Sequence, residues 1–180
     1  DLSRLQNYGI TYPMSNGNTG PAYLVVDNNF TDAIFGNTFI CPGYSGAREE
    51  DALRVTLAHE FFHVIQFGYY QGHDGSWWQE ASATWMEDVA FPDINDYLQY
   101  SCSFLLVPGR ALDSGIPSAD FHAYGASVFA HFLDQRYGRD AIRWIWDEHR
   151  RRRNAQLDNF DSALRNYNGT VLGVADVSDA

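Results

Sequence analysis

The chain has 180 residues, a length that allows one sizeable hydrophobic core but hardly two independent domains. Its 45% hydrophobic and 16% aromatic content is typical of a folded globular protein and excludes a largely disordered chain. The formal net charge of -11 argues against a nucleic-acid or anionic-membrane surface, because such surfaces need an attractive positive potential. No run of about 18 apolar residues predicts a membrane span.

The first part of the chain predicts a small sheet behind a peripheral arm. Residues 1–20 are polar and rich in turn residues, which favours an arm without secondary structure. The short aromatic and β-branched runs at 23–30 and 33–41 predict two strands. The stretch 34–40 could be an exposed edge that pairs with an extended peptide, or an edge with a purely structural role.

Two long helices are predicted next. Acidic residues at 49–51 precede an apolar-periodic run that reaches about Tyr70, as a helix N-terminus prefers. A second helix begins at a capping box formed by Ser76 and Gln79 and stops before Pro92. Further helical patterns cover 94–105, 123–137, 140–152 and 161–167. The chain is therefore one α+β domain over 1–180, with the arm at 1–20, the sheet and first long helix at 21–72, and a helical lobe at 73–180.

The first long helix carries the pattern His59-Glu60-x-x-His63 in its middle. The two histidines lie about 40° apart around a helix and one turn apart along it, so both imidazoles can reach one ion. A catalytic zinc site takes three protein ligands and keeps a position for water. Glu80 is the best third candidate because it opens the second helix after a turn-rich link, while His73 and Asp74 in that link remain alternatives.

The surroundings of the motif favour a helix in the protein interior. A chance occurrence of the His-Glu-x-x-His pattern is the weaker alternative to a metal site. The structural alternative is a pair of core histidines with an incidental glutamate. Apolar residues flank the motif and predict a buried helix, which would place the histidines in the interior. These flanking residues are Leu53, Leu57, Phe61, Ile65 and Phe67.

The stretches TLAHEFFHVIQ (56–66) and WWQEASATWMED (77–88) resemble the gluzincin zinc peptidases, and most closely some predicted secreted bacterial metalloproteases. The resemblance covers about residues 23–138. It implies a zincin-like fold, with a small mixed sheet over the active-site helix, a cleft, and a mostly helical lower lobe. It also implies a peptide or protein substrate and one catalytic Zn²⁺.

The family's roles map onto four residues of this chain. The resemblance implies that His59, His63 and Glu80 are the zinc ligands and that Glu60 is the general base. Thermolysin-like members carry, four residues after the third ligand, an Asp that steadies a histidine. That position is Thr84 in this chain, so the resemblance does not identify the residue that steadies the histidine.

An oxyanion formed during hydrolysis needs a donor besides the metal, and related enzymes supply it from a downstream Tyr or His. The segment FHAYGAS offers His122 and Tyr124. Related aminopeptidases place a Tyr three residues before a helix Gly, and His122 occupies that position here. Both residues are catalytic candidates, with packing in an aromatic core as the alternative, and Tyr124 is favoured as a phenol donor. His131 and the five tryptophans are expected to be structural.

The remaining expectations concern calcium, cysteines and location. The runs at 27–29 and 93–96 carry oxygen ligands that calcium could use, although turn chemistry explains them as well. Cys41 and Cys102 either form one disulfide or stay as two buried thiols. We expect a secreted protein whose leader has been removed, with the cysteines paired. A catalytically silent binding or accessory domain is the alternative function, and the presence of Glu60 argues against it.

Overall fold

The computed structural model has the α+β composition that the sequence predicts, with a small antiparallel sheet followed by helices. The strands are β1 (Gly9–Pro13) and β2 (Ala22–Val26). The helices are α1 (Glu49–Tyr69), α2 (Ser76–Ala90), α3 (Leu98–Leu105), α4 (His122–Gly125), α5 (Ser127–Tyr137), α6 (Asp140–Arg152) and α7 (Asp158–Tyr167), with single 3-10 turns at His73–Gly75 and Leu112–Ser114. The structure describes residues 8–28, 30, 41, 49–114 and 121–167.

The sheet corrects the prediction of a structureless N-terminal arm. Strand β1 pairs antiparallel with β2, with Thr11 opposite Leu24 and Pro13 opposite Ala22. The run Ile-Thr-Tyr inside β1 has the β-branched and aromatic character of a strand. The run is short and has turn residues on both sides, so the sequence pattern favours a loop there. Strand β2 matches the first part of the strand predicted at 23–30. The second predicted strand, at 33–41, lies outside the described residues except for Cys41.

Helix α1 begins at the predicted position and carries the histidine motif in its middle. Its buried face differs from the one predicted, since Leu57, Phe61 and Ile65 are 40%, 58% and 41% exposed. These residues stand two positions from a histidine, which is about 200° around the helix, so burial of the histidines turns them outward. The buried residues of α1 are instead the following: Val55, His59, Glu60, Phe62, His63 and Gln66.

Helix α2 has the predicted limits, but its start does not use the predicted capping box. The residue before the helix is Gly75, and no side chain caps the first turn. Gln79 donates its side-chain amide to the carbonyl oxygen of Gly72 at 3.2 Å, so it ties down the loop between α1 and α2 instead. The helix still ends before Pro92, because proline cannot continue the backbone hydrogen bonds.

The later helices follow the predicted order with shifted limits. Helix α3 begins at Leu98 rather than 94, because Asn95 adopts a left-handed conformation (φ 56°) that interrupts a helix. The helix predicted at 123–137 is divided into α4 and α5 near Gly125. A methyl group on Gly125 would stand 2.5 Å from the carbonyl oxygen of Tyr100, so this glycine allows α4 to approach α3. Helix α6 matches its prediction, and α7 begins at Asp158, three residues earlier than predicted.

The hydrophobic core lies between α2 and the helices α5, α6 and α7, and it supports the face of α2 behind the metal-ligand candidates. Trp78 is fully buried and packs edge-to-face on Phe160 with ring centroids 4.8 Å apart. As predicted, most of the tryptophans belong to the core. The buried ones are Trp77, Trp78, Trp85 and Trp146, with Trp144 packed at the margin.

A disulfide joins Cys41 to Cys102 in α3, with the Cα atoms 5.6 Å apart and a sequence separation of 61. Of the two alternatives for the cysteines, the structure therefore has the bridge. Among the residues that the structure describes, no helix has both the length and the apolar character needed to cross a membrane.

Candidate metal centre

Three ligand atoms from His59, His63 and Glu80 lie within 4.8 Å of one another, so this group could hold a metal ion. The two histidines project from adjacent turns of α1, and Glu80 projects from the second turn of the antiparallel-packed α2. Oε2 of Glu80 lies 3.0 Å from Nε2 of His59 and 3.5 Å from Nε2 of His63. The same nitrogen of each imidazole therefore faces the same carboxylate.

Glu87 fixes the orientation of His59 from the opposite side of the ring. Nδ1 of His59 donates to Oε1 of Glu87 across 2.6 Å, and the carboxylate is buried. A proton held on Nδ1 leaves Nε2 with the lone pair that a metal ion needs. His59 is thus arranged as a residue that could bind a metal ion, and Glu87 is the hydrogen-bond acceptor that orients it.

The position of Glu87 explains why sequence reasoning missed it. The family pattern directs attention to the fourth residue after Glu80, which is Thr84, a fully buried residue whose hydroxyl has no hydrogen-bond partner among the described residues. Glu87 is seven residues after Glu80, about two helical turns, and so returns to nearly the same face of the helix. Helical periodicity could have made it a candidate, since Glu87 is an acid in phase with Glu80 on the same helix.

Gln66 supports His63 in the corresponding way. Nδ1 of His63 donates to Oε1 of Gln66 at 2.7 Å, and Nε2 of Gln66 donates to the carbonyl of Gln79 at 2.9 Å and to the hydroxyl of Ser82 at 3.1 Å. Because the amide nitrogen must face the Gln79 carbonyl, the amide oxygen must face the histidine. The fully buried Gln66 thereby sets the tautomer of His63 and also joins α1 to α2.

The charges around the imidazoles favour a cation. Burial tends to lower the pKa of His59, but hydrogen bonds and charges from Glu80 and Glu87 raise that pKa well above its usual value. Burial also opposes ionisation of Glu80, yet the neighbouring His63 and His59 bring its pKa well below the usual range. Burial raises the pKa of Glu87 to about 7 in spite of the hydrogen bond from His59. Positive charge between these carboxylates is therefore stabilising.

Glu60 is buried next to the ligand group and is held by the N-terminal strand. The hydroxyl of Thr11 lies 2.7 Å from Oε2 of Glu60 and 2.9 Å from the main-chain oxygen of the same residue. Gly9, two residues earlier in β1, lies directly over the Glu60 side chain. Sequence reasoning missed both contacts because it treated this segment as an arm.

The two oxyanion candidates have different surroundings. The ring of Tyr124 stacks on His59 with centroids 5.9 Å apart, and burial together with the charges of Glu80 and Glu60 raises the pKa of its phenol. A raised pKa keeps the hydroxyl protonated and able to donate. His122 instead places Nε2 at 3.1 Å from the carbonyl of Ala111 and packs on Phe104. Its described contacts favour the packing alternative, so Tyr124 is the better candidate.

Asp74, one of the two alternative ligands, makes its contacts outside the group. Both carboxylate oxygens of Asp74 are engaged elsewhere, since Oδ1 accepts from the hydroxyl of Tyr70 and Oδ2 accepts from the backbone N–H of Ala155. The side chain of His73 lies outside the described residues. In the part of the chain that the structure describes, neither 27–29 nor 93–96 assembles a group of three acidic, His or Cys ligands that could hold calcium.

Replacing Glu87 by glutamine is expected to weaken metal binding roughly tenfold to a hundredfold, because the acceptor of His59 loses its charge. The dissociation constant can be measured by competition with a chromogenic chelator. Asp88→Asn is the matched control, since Asp88 is the next residue of α2 and its carboxylate lies 3.9 Å from His131 instead. Equal affinities in wild type and Glu87→Gln would show that Glu87 does not support a metal ligand.

Comparison of the chain with protein-family models, with curated proteins and with solved structures found no match in any of the three.

Proposed function

We propose that the protein is a zinc-dependent peptidase of the gluzincin type. One observation carries the proposal: both histidines of the helical motif present Nε2 to the same carboxylate, while their Nδ1 atoms are held by separate buried acceptors. Histidines that pack only for stability have no need of two matched acceptors behind them. The arrangement is the one that metal-binding histidines require.

The ligand set fits zinc better than calcium or magnesium. Two imidazole nitrogens and one carboxylate oxygen suit a borderline ion, whereas calcium and magnesium prefer sets made of oxygens alone. Three protein ligands leave a coordination position for water, as catalytic zinc sites do. When bound, the ion would supply a Lewis acid that brings the pKa of coordinated water to about 7 and polarises a peptide carbonyl.

Glu60 and Tyr124 supply the proton transfer and the hydrogen-bond donor that the proposed reaction needs. Glu60 follows His59 by one position, about 100° around the helix, so its carboxylate can take the proton from the attacking water without being a ligand. The same carboxyl can return that proton to the leaving amine. The hydroxyl of Tyr124, kept protonated by its raised pKa, can donate to the oxygen of the attacked carbonyl as negative charge develops there.

The architecture and the disulfide support two further parts of the proposal. Both strands and the helices α2 and α6 pack against α1, an arrangement compatible with a zincin-like fold. The Cys41–Cys102 bridge is compatible with an oxidising compartment and hence with a secreted protein. The substrate is proposed to be a peptide or protein.

Metal analysis combined with a peptide library tests the proposal. The purified protein should retain about one zinc per chain, lose hydrolytic activity when a chelator removes it, and regain activity when zinc is restored. The products, read by mass spectrometry, should also distinguish cleavage within chains from trimming of ends. Protein that holds zinc but cleaves no member of the library would favour the silent binding domain instead, and protein without zinc affinity would refute the metal centre.

A further inference from the structure

We propose that Thr11 is a positioning residue that holds the carboxylate of Glu60 in its working orientation, and that Gly9 is required for the approach of β1 that makes this possible. The inference rests on the proposed function, because it concerns the general base of that reaction. It assigns a role in the site to a strand that the motif itself does not include.

The contact fixes Glu60 at both ends. The Thr11 hydroxyl has one hydrogen and stands between two acceptors of the same residue, the carboxylate oxygen Oε2 at 2.7 Å and the main-chain oxygen at 2.9 Å. Fixing a glutamate side chain in one rotamer costs conformational entropy, which the hydrogen bond from Thr11 offsets. The hydroxyl ties the carboxylate to a defined place beside its own helix before any substrate arrives.

The contact also assigns different tasks to the two carboxylate oxygens. With Oε2 engaged by Thr11, we assign the proton from water to Oε1, which lies beside Gly9, 2.9 Å from the position that a methyl group there would take. A general base must lie within hydrogen-bond reach of the proton it removes, and misplacement by about 1 Å can cost a hundredfold in rate. Loss of the Thr11 hydroxyl should therefore affect turnover more than it affects binding.

Gly9 provides the second, independent observation. Residues 9 and 11 share one face of β1, the face toward α1. A methyl group at Gly9 would stand 2.5 Å from Cγ of Glu60 and 2.8 Å from Cγ2 of Thr56, distances that require one side to move. The strand is thus seated so closely on α1 that a side chain at position 9 would displace the side chain of Glu60 or Thr56. This seating brings Thr11 to the carboxylate.

The antiparallel pairing keeps Thr11 in register. Five residue pairs run from Gly9 opposite Val26 to Pro13 opposite Ala22. A slip of one residue would turn Ile10 or Tyr12 toward Glu60, because successive strand residues face opposite sides. The register of the β1–β2 hairpin and the position of the general base are therefore coupled.

The experiment compares Thr11→Val, Thr11→Ser and wild type, each loaded with zinc, on one peptide substrate. We expect Thr11→Val to lower kcat about tenfold to a hundredfold, the range that misplacement of a catalytic group produces. KM and zinc stoichiometry should stay within about twofold, since the ligands are untouched. Thr11→Ser keeps the hydroxyl and should restore most of the activity. Thr11→Ala replaces the valine variant if circular dichroism shows that Val disturbs the fold.

A binding measurement separates positioning from a general structural effect. A peptide hydroxamate presents a zinc-chelating group next to Glu60, and its affinity can be measured without turnover. Thr11→Val should weaken hydroxamate binding when Glu60 is present and have little effect in the Glu60→Gln background, because the hydroxyl acts through the carboxylate. An equal effect in both backgrounds would overturn the proposal.

The remaining outcomes are also decisive. If wild type hydrolyses the peptide and Thr11→Val matches it, the positioning role is wrong while the proposed function stands. The same conclusion follows if the serine variant loses as much activity as the valine variant. If zinc-loaded wild type hydrolyses no peptide, the proposed function fails and the role of Thr11 fails with it.

Discussion

Glu60→Gln is expected to lower peptide hydrolysis by about 10²- to 10⁴-fold, the usual contribution of a positioned general base, while the protein keeps its zinc. The amide is nearly the same shape as the carboxylate but cannot take a proton from water. Zinc stoichiometry and the initial rate of hydrolysis should be measured on the same sample, with folding checked by circular dichroism. Glu49→Gln, an exposed change in the first turn of the same helix, is the matched control and should behave as wild type.

Glu80→Gln provides the contrast, because Glu80 is expected to touch the ion itself. This variant should lose zinc affinity as well as turnover, so the two glutamine variants should differ in metal content. Loss of zinc from Glu60→Gln, or retained activity, would show that the base has been assigned wrongly. Full zinc affinity in Glu80→Gln would remove Glu80 from the ligand set and leave the third ligand to be found.

The second large effect is expected for His59→Ala and His63→Ala, each of which should lose zinc during dialysis against a chelator. Two remaining ligands cannot hold the ion against such competition. Each substitution also leaves a buried acceptor without its histidine, Glu87 in one case and Gln66 in the other. Elemental analysis measures the result directly.

His131→Ala is the matched control for the histidine variants. His131 lies on α5 with its ring 4.4 Å from that of Tyr97, and it is not part of the ligand group. The control should retain zinc as wild type does. Full zinc occupancy in either His59→Ala or His63→Ala would contradict the ligand assignment.

Residues related by local helical geometry were predictable from the sequence. The spacing of His59 and His63 fixes their common face before any tertiary contact is known, and the helix that carries them begins and ends as predicted. Glu80 was predicted because a short, turn-rich link obliges α2 to return along α1. The α+β composition followed from the same local patterns, since strands and helices differ in their periodicity.

Residues that reach the site through the tertiary fold were not predictable in the same way. Thr11 and Glu60 are 49 positions apart in sequence, and the hydrophobic periodicity of the two segments does not indicate that they are in contact. The sequence position of Gln66 does not indicate that its amide bridges His63 to α2. The apolar residues that flank the motif also predict the wrong buried face of α1, because apolar content alone cannot say which of two apolar faces meets the core.

The disulfide has a consequence for the connectivity of the chain. Both ligand helices, α1 and α2, lie between Cys41 and Cys102, so the bridge closes a covalent ring that contains the whole ligand set. A single cut in the loop that joins them, such as between Gln71 and Gly72, would open the ring without separating its pieces. Residues 1–71 would stay bonded to residues 72–180 until the bridge is reduced. A peptidase that clips itself at this loop would therefore run as one intact species on a nonreducing gel and as two chains after reduction.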